Sequence, residues 1–172
     1  MSPRVFVLIA KRKTASGGMA VLFDIAAILR DAGLDAQPLY CERNGHYPAT
    51  PHVFEDALYS TALDLKEFGY TPRSWWPVTA LSAALNTLPG GRNRKIRLAP
   101  DEVVIVPELF LHLAVAALPD NPKIIFSQNS FGYLSSFERA VSAGYDPHRN
   151  VIGNFAISDS CIAAMKMVGA QN

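Results

Sequence analysis

Residues 5–41 read VFVLIAKRKTASGGMAVLFDIAAILRDAGLDAQPLYC, and the fold class follows from their order. Residues 5–10 are an unbroken apolar, β-branched run, as expected of a strand buried on both faces, and such strands belong to parallel sheets covered by helices. A polar loop, residues 11–18, comes next. Beyond Met19, the residues Val21, Leu22, Ile25, Ile28 and Leu29 recur at helical spacing, which predicts a helix burying that face and stopping at Gly33. Residues 36–41 then read as a second strand, although Pro38 lacks the N–H that a central ladder uses. The unit is strand, loop, helix, strand.

The rest of the chain extends this pattern. Thr50 and Pro51 form a cap and first-turn pair, and Phe54, Leu58, Ala62, Leu65 and Phe68 predict a helix over 51–68, ended by Gly69. Residues 70–77, with Pro72, Trp75, Trp76 and Pro77, predict a loop leading into a short helix over 78–88. Pro89, Gly90 and Gly91 stop that helix, and residues 92–97 read as a basic connector. Alternation then resumes, with strands over 103–106, 123–127 and 154–157. A helix over 108–118 opens with Pro107 and Glu108, a weaker one covers 135–144, and a last one capped by Ser158 runs to Val168 and stops at Gly169. Strands alternating with helices predict an α/β fold: a single Rossmann-like, doubly wound, mainly parallel sheet with helices on both faces, spanning residues 1–172.

Composition narrows the class. The 172 residues are 49% hydrophobic and 18% charged, with 16 Lys and Arg against 15 Asp and Glu. That balance suits one globular domain with a full core and argues against disorder, fibres and a nucleic-acid partner. Cys41 and Cys161 are far apart and read as reduced thiols, which predicts a cytoplasmic location. The apolar run at 5–10 is too short for a signal peptide and no run approaches a membrane span, so the first segment reads as a strand.

In an open α/β sheet the ligand site lies beyond the carboxyl ends of the strands, where strand order reverses. This selects residues 11–18, Pro107 with Glu108, residues 127–132 and residues 158–160. The loop KRKTASGG places Lys13, Ser16, Gly17 and Gly18 before a helix start, where free amides and the helix dipole favour a phosphate or diphosphate; it equally fits a solvated turn capped by Ser16. Neither nucleotide-binding glycine fingerprint is present. The loop SQNSFG offers Gln128, Asn129 and Ser130, whose amide and hydroxyl groups suit sugar hydroxyls and are also ordinary turn formers. Glu108 is an acid or base, or a favourable charge in a first helical turn.

Weaker constellations are Cys41 with His46 and His52, three ligands without a fourth for zinc, and His112, four residues after Glu108. Arg92, Arg94, Lys95 and Arg97 suit phosphate, an anionic membrane surface or a solvated connector, and Trp75 with Trp76 suits an acceptor pocket, lipid headgroups or the core. G-x-S-x-G, H-E-x-x-H and D-x-D motifs are missing, which removes most support for hydrolases and zinc proteases.

The glycine loop at Ser16, Gly17 and Gly18, PDEVVIVPE at 100–108, KIIFSQN at 123–129 and FAISDSCIAAMKMVGA at 155–170 occur in an order that resembles the N-terminal domain of GT-B glycosyltransferases of the group 1 class. The resemblance implies two Rossmann-like domains facing a cleft, this one binding a glycan or lipid-linked acceptor and a C-terminal one binding a nucleotide-sugar co-substrate, with no resident cofactor and no metal. It places Lys13, Ser16, Gly17 and Gly18 near the donor diphosphate or the acceptor, and Glu108, Gln128, Asn129 and Ser130 at the acceptor. Peripheral contact with the inner face of a membrane belongs to the same expectation. Where many members carry a histidine, this sequence has Gln128 and Asn129. The family continues into its donor domain where this sequence reaches Asn172, so this half is expected to be inactive alone. The competing expectation is a stand-alone flavodoxin-like module holding a phosphorylated ligand through KRKTASGG.

Overall fold

The computed structural model of the chain describes residues 4–9, 17–41, 50, 51, 54, 58–60 and 94–170. The described strands are β1 (Val5–Ile9), β2 (Ala36–Cys41), β3 (Leu58–Ser60), β4 (Arg94–Lys95), β5 (Val103–Pro107), β6 (Lys123–Ser127) and β7 (Val151–Ala156). The described helices are α1 (Gly17–Asp31), α2 (Leu111–Ala117), α3 (Ser130–Ser142) and α4 (Asp159–Met167), with a 3-10 turn (Glu108–Phe110) leading into α2. All strands join one sheet in the order β4-β3-β2-β1-β5-β6-β7. The five from β2 to β7 run parallel. The short β3 and β4 add an antiparallel edge beside β2.

Strand β1 explains the architecture. Its side chains alternate between two cores: Val5, Val7 and Ile9 lie under α1 with Met19, Leu22 and Ala26, whereas Phe6 and Leu8 lie on the other face with Leu111, Tyr133 and Met165 of α2, α3 and α4. Every residue of the strand is buried. That is the physical meaning of an unbroken apolar run, and it makes the sheet doubly wound in a Rossmann-like manner.

Several expectations are corrected. Helix α1 buries Met19, Leu22 and Ala26, while Val21 and Ile28 are 39% and 64% exposed, so the core-facing stripe is rotated from the expected one. Pro38 does lie inside the sheet, in register with Val7, but β3 pairs with Tyr40 and Cys41, so among the described residues β2 has no ladder partner other than β1 at the proline. The helix expected over 51–68 is broken at Leu58–Ser60, which is β3; before it, Phe54 N–H donates to the Thr50 carbonyl at 2.9 Å, a helical contact, and residues 61–68 lie outside the described residues. Pairing with Tyr40 and Cys41 overrides the local helical spacing. The basic connector contains β4 at Arg94–Lys95.

Helix α3 begins at Ser130, a turn earlier than expected, because Asn129 caps it. Strand β7 begins at Val151 and pairs along the whole of β6 through a bulge beside Lys123. The loop over 70–77 and the helix over 78–88 lie outside the described residues. Ser158 caps α4 as expected, its hydroxyl accepting from Cys161 N–H.

Candidate functional site

Strand order reverses between β1 and β5, because the chain leaves β1 for β2 on one side and returns to β5 on the other. The start of α1, the 3-10 turn after β5 and the β6–α3 loop meet at the carboxyl edge beside this reversal, where doubly wound sheets form a crevice. Of the expected residues, Gly17 and Gly18 open α1, Glu108 follows β5, and Gln128, Asn129 and Ser130 follow β6. Lys13 and Ser16 lie outside the described residues.

Gln128 ties these segments together. Its side-chain amide donates to the Gly18 carbonyl at 3.0 Å, and its backbone N–H donates to Glu108 Oε2 at 3.2 Å. A Cβ placed on Gly18 would collide with the Gln128 side-chain carboxamide, so the absence of a side chain at Gly18 permits the approach.

Glu108 is only 4% exposed. Burial pushes its carboxyl pKa up from the ordinary value, and backbone amides of Gln128, Glu108 itself and Asn129 pull it back. The carboxylate therefore sits where the start of α3 would hold an anion, receiving amides that the helix cannot use internally. It holds the β6–α3 loop in place.

Asn129 accepts through Oδ1 from Phe131 N–H at 2.9 Å and Gly132 N–H at 3.3 Å, so this oxygen serves as the α3 cap. Ser130 is half-buried in the first turn. The Ser127 hydroxyl, just inside β6, is buried with no hydrogen-bond partner among the described residues. Ser158, beyond β7 at the same edge, lies 2.9 Å from Ser160 between hydroxyl oxygens.

Two apolar side chains flank the polar loop: Leu109 is 57% exposed and Phe131 is 83% exposed. Sequence reasoning missed both, since an apolar residue in a periodic segment signals burial and nothing in its local pattern marks it as exposed. His112 is directed elsewhere. Its Nδ1 lies 2.8 Å from the Ser136 hydroxyl, and burial together with nearby Arg139 lowers its pKa.

Cys41 is buried against Ile9, while His46 and His52 lie outside the described residues, as do Trp75, Trp76 and Arg92. Among the described residues no group of side chains is placed to hold a metal ion, and no helix is long and apolar enough to cross a membrane.

Fold and edge geometry together define a Rossmann-like, doubly wound α/β protein whose strand order reverses between β1 and β5. No family model matches the chain, and no curated protein or solved structure matches it.

Proposed function

We propose that this chain is the acceptor-side domain of a glycosyltransferase that moves a sugar from a nucleotide-sugar to a glycan or lipid-linked acceptor in polysaccharide biosynthesis. A separate donor-binding domain completes the cleft, at the cytoplasmic side of a membrane. The observation that carries this reading is the bond from Gln128 to Gly18, which joins two of the resembling motifs at one edge of the sheet.

Transfer needs positive potential for the departing diphosphate and directed hydrogen bonds for the acceptor. The N-terminal end of α1, whose dipole favours an anion, with Lys11 and Lys13 preceding it in sequence, suits the first need. The carboxamides of Gln128 and Asn129 suit the second. Glu108 acts as a positioning residue, because its carboxylate is enclosed by backbone amides. Exposed Leu109 and Phe131 supply apolar surface for a sugar face or the first carbons of a lipid anchor.

The test uses protein purified from its native source, incubated with glycan and lipid-linked acceptors and with uridine, guanosine, thymidine and adenosine diphosphate sugars. Acceptor-dependent release of one nucleoside diphosphate is expected. No release from any donor overturns the reading.

One observation favours the flavodoxin-like alternative. Renumbered in chain order, the five parallel strands run 2-1-3-4-5, the order of flavin-binding doubly wound domains. A yellow preparation that releases flavin on unfolding would support it, and a colourless one that takes up no flavin excludes it.

A further inference from the structure

A cavity is bordered by the connections that lead into the amino ends of β5 and β6, together with Leu58 of β3. It encloses about 350 Å³, at the lower end of the range for small-molecule sites. Half-buried Ile96, Leu98 and Ala117 provide apolar wall over buried Leu58 and Leu118, and Arg97 borders the same cavity.

The walls are braced before any ligand arrives. Asn121 Nδ2 donates to the carbonyls of Ala99 at 2.6 Å and Glu102 at 3.1 Å, fastening two of the bordering turns together. Ala99 N–H donates to Glu102 Oε2 at 2.7 Å, and Arg4 pairs with the same carboxylate at 3.4 Å. Buried Lys123 holds the Asn121 carbonyl at 2.8 Å. Such bracing reduces the ordering cost of binding.

Charge then selects the occupant. Asp120 also borders the cavity, but Arg149 lies 3.7 Å from its carboxylate and offsets its charge. Arg97 is exposed and has no ion-pair partner among the described residues. A guanidinium beside apolar wall recognises a planar anion attached to a hydrocarbon tail.

We infer that this cavity binds a free, medium-chain monocarboxylate, with the tail against Ile96, Leu98 and Ala117 and the carboxylate on Arg97. The site is separate from the proposed acceptor crevice and does not depend on it.

Calorimetric titration of the full chain with octanoate and with octanol tests the assignment. Octanoate is expected to bind with one-to-one stoichiometry and about tenfold or more tighter than octanol, a difference of about 1.4 kcal/mol. Arg97→Gln should remove that preference while leaving the thermal midpoint unchanged, because Arg97 is exposed and has no ion-pair partner among the described residues. Ala117→Phe, which fills the cavity, should abolish binding of both probes. Absence of octanoate binding, equal affinity for octanoate and octanol, or an Arg97→Gln protein that binds octanoate as well as the parent overturns the inference. So does co-sedimentation with anionic phosphatidylglycerol vesicles without uptake of octanoate, which would place the anion on a bilayer surface.

Discussion

The side-chain amide of Gln128 reaches the carbonyl of Gly18 across 110 residues of sequence, and the missing side chain at Gly18 is what makes room for it. Gly18→Ala should therefore push the Gln128 carboxamide aside and cost the protein about 1 kcal/mol for the lost hydrogen bond, partly offset because alanine is the better helix former. In a Gln128→Ala background the obstruction is gone, and the same substitution should be neutral or stabilising by up to about 1 kcal/mol. Urea unfolding of the four proteins reads the coupling directly, and simple additivity would contradict the packing.

The capping role of Asn129 predicts a smaller, local effect. Asn129→Ala removes the oxygen that receives Phe131 and Gly132 N–H and should cost about 1 kcal/mol. Asn129→Ser keeps an acceptor oxygen and should recover most of it. Amide exchange in the first turn of α3 would accelerate in the alanine protein alone; equal exchange in both variants would show that the cap is dispensable.

Much of this edge was legible in advance, because buried parallel strands announce themselves. The run at 5–10 and the segment KIIFS need no tertiary information to read as strands, and their carboxyl ends then locate the loops. Strand β3 was hidden for the opposite reason. Phe54 and Leu58 are four apart and both buried, as in a helix, yet Leu58 is held by a ladder to Cys41. The stripe on α1 was misjudged because apolar residues nearly encircle that helix, so periodicity alone could not orient it. The bond from Gln128 to Gly18 and the exposure of Phe131 are properties of assembled elements. No local pattern encodes them.

Burial of Glu108 makes its effect on stability dependent on pH. Its folded-state pKa is raised from 4.5 by desolvation, so its contribution is fully present below that ordinary value and is lost as pH rises through the raised one. Relative to Glu108→Gln, the parent should thus be most favoured in acid and lose that advantage toward neutrality. Denaturant unfolding of both proteins between about pH 4 and pH 8 measures the difference. Parallel curves would mean that the carboxyl titrates alike in folded and unfolded chains.

Lys123 supplies the opposite window at the other end of the sheet. Its side chain is fully buried, with Nζ donating to the carbonyls of Asn121 at 2.8 Å and Arg149 at 3.2 Å. Burial first, and the nearby Arg149 charge second, lower its pKa from 10.5 to about 8. Between those two values the unfolded chain holds more protons than the folded one, so stability rises with pH there. The gain is of order 3 kcal/mol, from about 1.4 kcal/mol per pKa unit. A neutral amine still carries two N–H groups, enough for both carbonyls, so the bonds survive the loss of charge. Lys123→Met should leave those carbonyls without their amine at every pH, a constant cost, while eliminating the rise. The decisive quantity is therefore the stability difference between the two proteins measured at about pH 7 and again near pH 10. An unchanged difference would show that the lysine does not titrate in this window.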